Sequence, residues 1–207
     1  MASSFSLRRA TQHDVEALCD VYLSAFRDEI FSRQVFPRDG SSTGREYWRR
    51  AFAEELREPD ATFLVAVERC RGGGDDESKR GNDVERAAPE DEAVDGYPPD
   101  GLPDVAALYY KRLFEGHRRC VGDMPHWYLD MVGVRQEAMG KGAARQLMEW
   151  GLERAGREGF PCFVESTGDA QAFYERFGFR EVDKMSVDTP QGEAVVVFML
   201  MGVASND

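Results

Sequence analysis

An apolar strand that runs into a paired-glycine turn and then into a long amphipathic helix constrains this chain more than any other feature. The segment is Val132-Gly-Val-Arg-Gln-Glu-Ala-Met-Gly-Lys-Gly-Ala-Ala-Arg-Gln-Leu-Met148, with Gly140-Lys141-Gly142 at the turn. Small residues there let backbone approach a ligand closely. The first amides of the following helix have no intrahelical partner, so they can hold an anion such as phosphate, and Lys141 can add a charge-assisted contact. The spacing is neither the Rossmann fingerprint nor a Walker loop, because GxxxxGK[ST] is absent.

The helix behind the turn spans roughly Gly142 to Glu158, with Ala144, Leu147, Met148, Gly151, Leu152 and Ala155 as its buried stripe. Pro161-Cys-Phe-Val-Glu165 follows as a strand. A short helix over Asp169 to Phe177 comes next, capped by Thr167 or Asp169 and ended by Gly178. Phe179–Val187 and Ala194–Met201 predict a closing antiparallel pair.

Upstream, Phe5 to Thr11 alternates like a strand, and Val15, Leu18, Cys19, Tyr22 and Phe26 recur at helical spacing. Tyr47, Trp48, Phe52 and Leu56 predict a second helix, most simply as its core face. Phe63–Val67 predicts a central strand, and Val105–Tyr110 and Trp127–Val134 predict two more. Antiparallel meanders around βαβ-like units give a mixed α/β (α+β) sheet with helices on both faces.

Residues 71–103 interrupt this order. Within 71–104 there are 11 acidic and four basic side chains, a net of −7 of the chain's −12, leaving −5 elsewhere. Glycine, proline and charge cannot bury enough apolar surface to offset ordering, which predicts an acidic, disordered loop inserted in a single domain over 1–207. The acidic balance argues against nucleic-acid binding. No apolar run approaches the roughly 20 residues that cross a bilayer, and the start lacks a signal peptide's apolar run. Cys19, Cys70, Cys120 and Cys162 show no metal-ligand spacing, so no metal and a reducing intracellular, cytoplasmic setting are expected. His13, His117 and His126 also lack ligand spacing and read as surface residues.

The glycine turn after a strand, joined to Ala170-x-x-x-Tyr174-Glu-Arg-Phe-Gly-Phe179, resembles the GNAT superfamily of acyl-CoA N-acyltransferases. The Tyr128-Leu-Asp-Met-Val-Gly-Val134 pattern with Glu165-Ser-Thr downstream is similar to a small-molecule-type subgroup seen in many fungal proteins. That family's phosphate loop, Q/R-x-x-G-x-G/A, falls on Met139-Gly140-Lys141-Gly142-Ala143-Ala144. Gly142 and Ala144 match it, whereas Met139 replaces the usual Gln or Arg and Thr167 stands where Asn is frequent.

The resemblance implies a mainly antiparallel central sheet whose central strands, Trp127–Val134 and Pro161–Glu165, splay apart. Backbone groups of Val132 and Val134 then pair with pantetheine of acetyl-CoA, and the amides of Lys141, Gly142, Ala143 and Ala144 hold its pyrophosphate. Tyr174 matches the tyrosine at the leaving thiolate and is the implied general acid. The family's strand glutamate falls on Tyr128, so Asp130 and Glu165 both stand as candidate bases. The implied activity is acetyl transfer from acetyl-CoA to a primary amine of a small molecule. A protein lysine or N-terminus as acceptor, and a non-catalytic acyl-CoA-binding module, are the alternatives.

Overall fold

A computed structural model describes residues 5–36, 43–68 and 96–202. Most of the acidic segment, residues 71–95, therefore lies outside the described residues. From Gly96 the chain is held against the helices, with the Tyr97 ring stacked on Tyr47 and Tyr110 at 6.0 and 5.5 Å.

Strand β1 (Phe5–Arg9) leads into a 3-10 turn where the Thr11 amide donates to Asp14. Helix α1 (Val15–Ala25) buries Val15, Cys19 and Tyr22, the stripe its spacing predicts. A short helix α2 (Ile30–Val35) follows, its N-terminus closed by the Glu29 carboxylate, which accepts from the amides of Phe31 and Ser32. Helix α3 (Thr43–Glu55) buries Tyr47, Trp48 and Phe52 against α1. Strand β2 (Leu64–Glu68) pairs antiparallel with β1. The expectation of a central strand here is corrected. Among the described residues β1 and β2 form a separate two-stranded sheet, and Val67 is 40% exposed.

The second correction concerns Val105–Tyr110, which is not a strand but the first part of helix α4 (Pro103–Val121). Proline at the first helical position and Gly122 at the C-cap mark its ends. Its buried residues Ala106, Gly116, His117 and Val121 fall on one helical face. A run of β-branched and aromatic residues looks like a strand only when the window is too short to show that period.

The remaining elements are β3 (Trp127–Leu129), α5 (Ala143–Glu158), β4 (Cys162–Thr167), α6 (Gln171–Glu175), β5 (Arg180–Thr189) and β6 (Gly192–Met201). The last two are the antiparallel pair the sequence predicts. Their sheet has the order β3-β4-β6-β5, parallel between β3 and β4 and antiparallel elsewhere. Alternation gives this mixed α/β sheet two faces. Cys162, Val164, Val197 and Met199 pack with Met148, Ala155, Tyr174 and Phe179 beneath α5 and α6. Phe163, Val196 and Phe198 pack beneath α4 with Val121. Helix α4 sits so close that a Cβ on Gly116 would lie 2.0 Å from the Phe198 ring, so only glycine fits there.

Candidate active site

The pairing of β3 with β4 ends at Leu129 opposite Val164, whereas β4 continues to Thr167 bonded only to β6. A gap therefore opens between β4 and the chain that continues from β3. Beyond it, among the described residues, the amides and carbonyls of Val132 and Val134 have no backbone partner. The segment is steadied from behind by α1. A Cβ on Gly133 would touch Val21 and Ala25 at 3.3 Å, and the Gln136 amide donates to Ser24 Oγ at 3.2 Å. An extended segment with free polar backbone can take a ligand that pairs as a strand edge does.

The same segment leads to the glycine turn. Gly140 and Gly142 have φ of +74° and +93°, which L side chains rarely adopt. Gly142 is the N-cap of α5 and offers no side chain to its first amides. The Gln146 amide is the first to fold back, onto the Gly142 carbonyl at 3.2 Å. The amides of Ala143, Ala144 and Arg145 consequently lack backbone partners among the described residues. The Lys141 amide is turned toward the Ala138 carbonyl at 3.4 Å, unlike the others proposed for this loop. Met139, 54% exposed, stands at the rim.

Tyr174 lies on the α5/α6 face of the gap, in the apolar cluster that also contains Val164 and, partly buried, Leu129 and Val132. Its ring meets Phe173 and Phe179 edge-on at 5.2 and 5.8 Å. Burial alone pushes its hydroxyl up to about 12, so it remains a donor at neutral pH. That hydroxyl makes no hydrogen bond among the described residues.

The α4 face is polar at the same level. Tyr128 donates to Glu165 Oε2 at 2.6 Å, and the exposed Asp130 is within hydrogen-bonding reach of the same hydroxyl. Burial, then the charges of Asp130 and Glu165, hold the Tyr128 hydroxyl well above its ordinary range. Glu165 Oε1 faces His117 Nδ1 at 3.0 Å, and His117 Nε2 faces His126 Nε2 at 3.1 Å. His126 Nδ1 donates to the Met124 carbonyl at 2.7 Å.

The expectation that all three histidines lie at the surface is thereby corrected. His13 is exposed, but His117 is 9% exposed and His126 is half-buried. The signal was present in α4. Once Pro103–Val121 is a helix, His117 falls on its buried stripe and a buried imidazole needs partners. His117, His126 and Glu165 are strung along a chain of hydrogen bonds. Among the described residues no group of three His, Cys, Asp or Glu is disposed to hold a metal ion. No described helix is long and apolar enough to cross a membrane.

Residues 105–181, which run from α4 into β5 and contain the gap, the glycine turn and Tyr174, match the family model for the acetyltransferase (GNAT) domain. Over that stretch the chain is similar to the GNAT domain. Solved structures with the same fold extend the likeness over the whole length. A Corynebacterium glutamicum protein named histone acetyltransferase HPA2 and related acetyltransferase is 20% identical over 99% of both chains, with a TM-score of 0.58. Arylalkylamine N-acetyltransferase 2 from Aedes aegypti is 14% identical over 98% of this chain and 100% of its own, with a TM-score of 0.57. A putative acetyltransferase from Salmonella typhimurium, solved with acetyl-CoA, is 16% identical over 99% and 97%, with a TM-score of 0.51. In this chain the residues flanking the gap come from β3, β4 and α6, whereas the histidines behind them come from α4 and the turn before β3.

Proposed function

We propose that this protein is a GNAT acetyltransferase that transfers the acetyl group of acetyl-CoA to a primary amine of a small molecule. The observation that carries the proposal is the gap between β3 and β4, which continues through unpaired backbone into the uncapped N-terminus of α5. Pantetheine would pair with Val132 and Val134. The amides of Gly142, Ala143 and Ala144 would hold the pyrophosphate, with Met139 and Gly140 shaping the turn and Lys141 adding charge. The acetyl-CoA bound in the Salmonella structure supports the choice of cofactor.

Chemistry then takes place across the sheet. A free amine nitrogen attacks the thioester carbon, the C–N bond forms and the C–S bond breaks. An ammonium of ordinary pKa ~10.4 must first lose its proton, at a cost of about 4.6 kcal/mol at neutral pH. Asp130 is the proposed acceptor, because it is exposed beside the gap, whereas Glu165 is buried between His117 and Tyr128. Tyr174, on the opposite face, donates to the departing sulfur. Its hydroxyl is raised to about 12. Complete transfer to a thiolate of pKa ~8.5 would be uphill by roughly 5 kcal/mol. Hydrogen-bond donation to the developing charge is therefore its main contribution.

Release of free CoA in the presence of arylalkylamines, diamines and polyamines tests the proposal; the Aedes enzyme's name makes the first class a natural starting point. Amine-dependent release is expected. Acetyl-CoA binding with no release for any amine would sink the catalytic reading in favour of a binding module.

A further inference from the structure

The hydrogen bonds on the α4 face can be satisfied only if a proton count is met. The Met124 carbonyl is an acceptor, so His126 carries its hydrogen on Nδ1. A neutral His126 then has a bare Nε2, and the hydrogen in the 3.1 Å link belongs to His117 Nε2. Glu165 already accepts from Tyr128 on Oε2, a bond that favours the carboxylate, so the 3.0 Å link to Oε1 needs a hydrogen on His117 Nδ1 as well. Burial, and after it the neighbouring His117, weakens the hold of His126 on a second proton. The other titratable groups facing Glu165 are Tyr109 and Cys120 from α4, with Asp130 beyond Tyr128.

One consequence reaches the gap. Tyr128 has one proton and two carboxylate neighbours. While that proton points to Glu165, the phenolic oxygen is left as an acceptor toward Asp130.

We propose that His117 is a positioning residue: as an imidazolium bonded to His126 and Glu165 it fixes the direction of the Tyr128 hydroxyl, which then accepts a hydrogen bond from Asp130 once Asp130 has taken the amine's proton. The step moves one proton, breaking an N–H bond of the ammonium and forming an O–H bond on Asp130. The positioning of His117 by hydrogen-bond count stands by itself; its bearing on catalysis rests on the acetyltransferase reading.

Side-chain nitrogen-15 spectra of the whole protein test the count, since only three histidines are present and exposed His13 serves as the internal reference. At neutral pH both ring nitrogens of His117 should carry hydrogen and His126 should carry one, on Nδ1. A bare nitrogen on His117 overturns the inference. The catalytic consequence is read from Glu165→Gln, whose amide can donate to the Tyr128 oxygen and turn the hydroxyl toward Asp130. Its kcat should fall about tenfold or more and the acid limb of kcat/KM should move to lower pH, with acetyl-CoA affinity unchanged. Tyr128→Phe, which removes only the shared hydroxyl, should move the limb the same way. An unmoved limb in both variants overturns the positioning role, because a purely structural defect would lower the rate without shifting it. A wild type that acetylates no amine overturns the acetyltransferase reading, and Asp130's part with it.

Discussion

The two faces of the sheet meet the gap between β3 and β4 with opposite chemistry. Toward α5 and α6 the gap is bordered by Val164, Leu129 and Val132, and the Tyr174 hydroxyl in the same cluster has no hydrogen-bond partner among the described residues. Toward α4 a run of polar side chains is tied together, from Asp130 and Tyr128 through Glu165 and His117 to His126. A largely buried hydroxyl without a side-chain or backbone partner is a donor available to an incoming group. A fully satisfied buried network instead fixes orientation, since each member is costly to disturb. The proposed division of labour follows: the dry face meets the leaving sulfur, and the networked face receives the proton.

If that division holds, removing the acceptor on the networked face should have the largest effect. Asp130→Asn is expected to lower kcat/KM by about a hundredfold or more, within the usual range for a lost general base, as measured by CoA release. An effect under about threefold would remove Asp130 from the mechanism and weaken the contrast between the faces.

Next comes the packing beneath the network. Gly116→Ala gains about 1 kcal/mol in helix propensity but drives a methyl group to within 2.0 Å of the fully buried Phe198 ring. Overpacking of this kind costs about 3 kcal/mol, so the clash wins and urea unfolding should show a net loss of roughly 2 kcal/mol.

On the dry face, Tyr174→Phe deletes one donor without changing the packing, and a fall in kcat of about tenfold is expected, with stability preserved. Because burial holds the Tyr174 proton up to about 12, deprotonation of this group should cause no alkaline loss of activity below roughly pH 10.

Smallest of all is a change remote from both faces. Asp14 is held well below the usual carboxylate range, first by the hydrogen bond from Arg8 and also by Thr11. Its contribution to stability is present above the ordinary aspartate range and lost as pH falls through the depressed native value. The Arg8 partner is half-exposed and open to solvent screening, so Asp14→Asn should cost about 1 kcal/mol near neutral pH, and less still in acid.

The dry face was legible in the sequence because its signals are local. Glycines at positive φ, the stripe of α5 and the run Ala170 to Phe179 each lie within one short segment and have one physical explanation. The networked face was not, because its members are brought together from α4, β3 and β4. Glu165 and His117 are 48 residues apart and meet only after helix and sheet have packed. Taking Val105–Tyr110 for a strand hid the face of α4 on which His117 sits. Asp130 and Glu165 could not be told apart in sequence, since alternation places the first beside Tyr128 and the second ends the neighbouring strand; the burial of Glu165 against the exposure of Asp130 distinguishes them. Helix α2 was missed for another reason. It has six residues and is held by the Glu29 cap and by the burial of Phe31 and Val35, so it has no periodicity long enough to read.

Everything proposed for either face depends on acetyl-CoA entering the gap between them. Calorimetric titration of acetyl-CoA into the wild type and Gly142→Glu tests this most directly. The Cβ direction at Gly142 is open, so the new carboxylate would point into the turn without striking protein atoms; its strain at φ +93° is checked by a thermal melt. Micromolar binding to the wild type, lost in a variant that still melts cooperatively, is the predicted result. Equal binding by both proteins, or none by the wild type up to millimolar concentrations, would contradict the account.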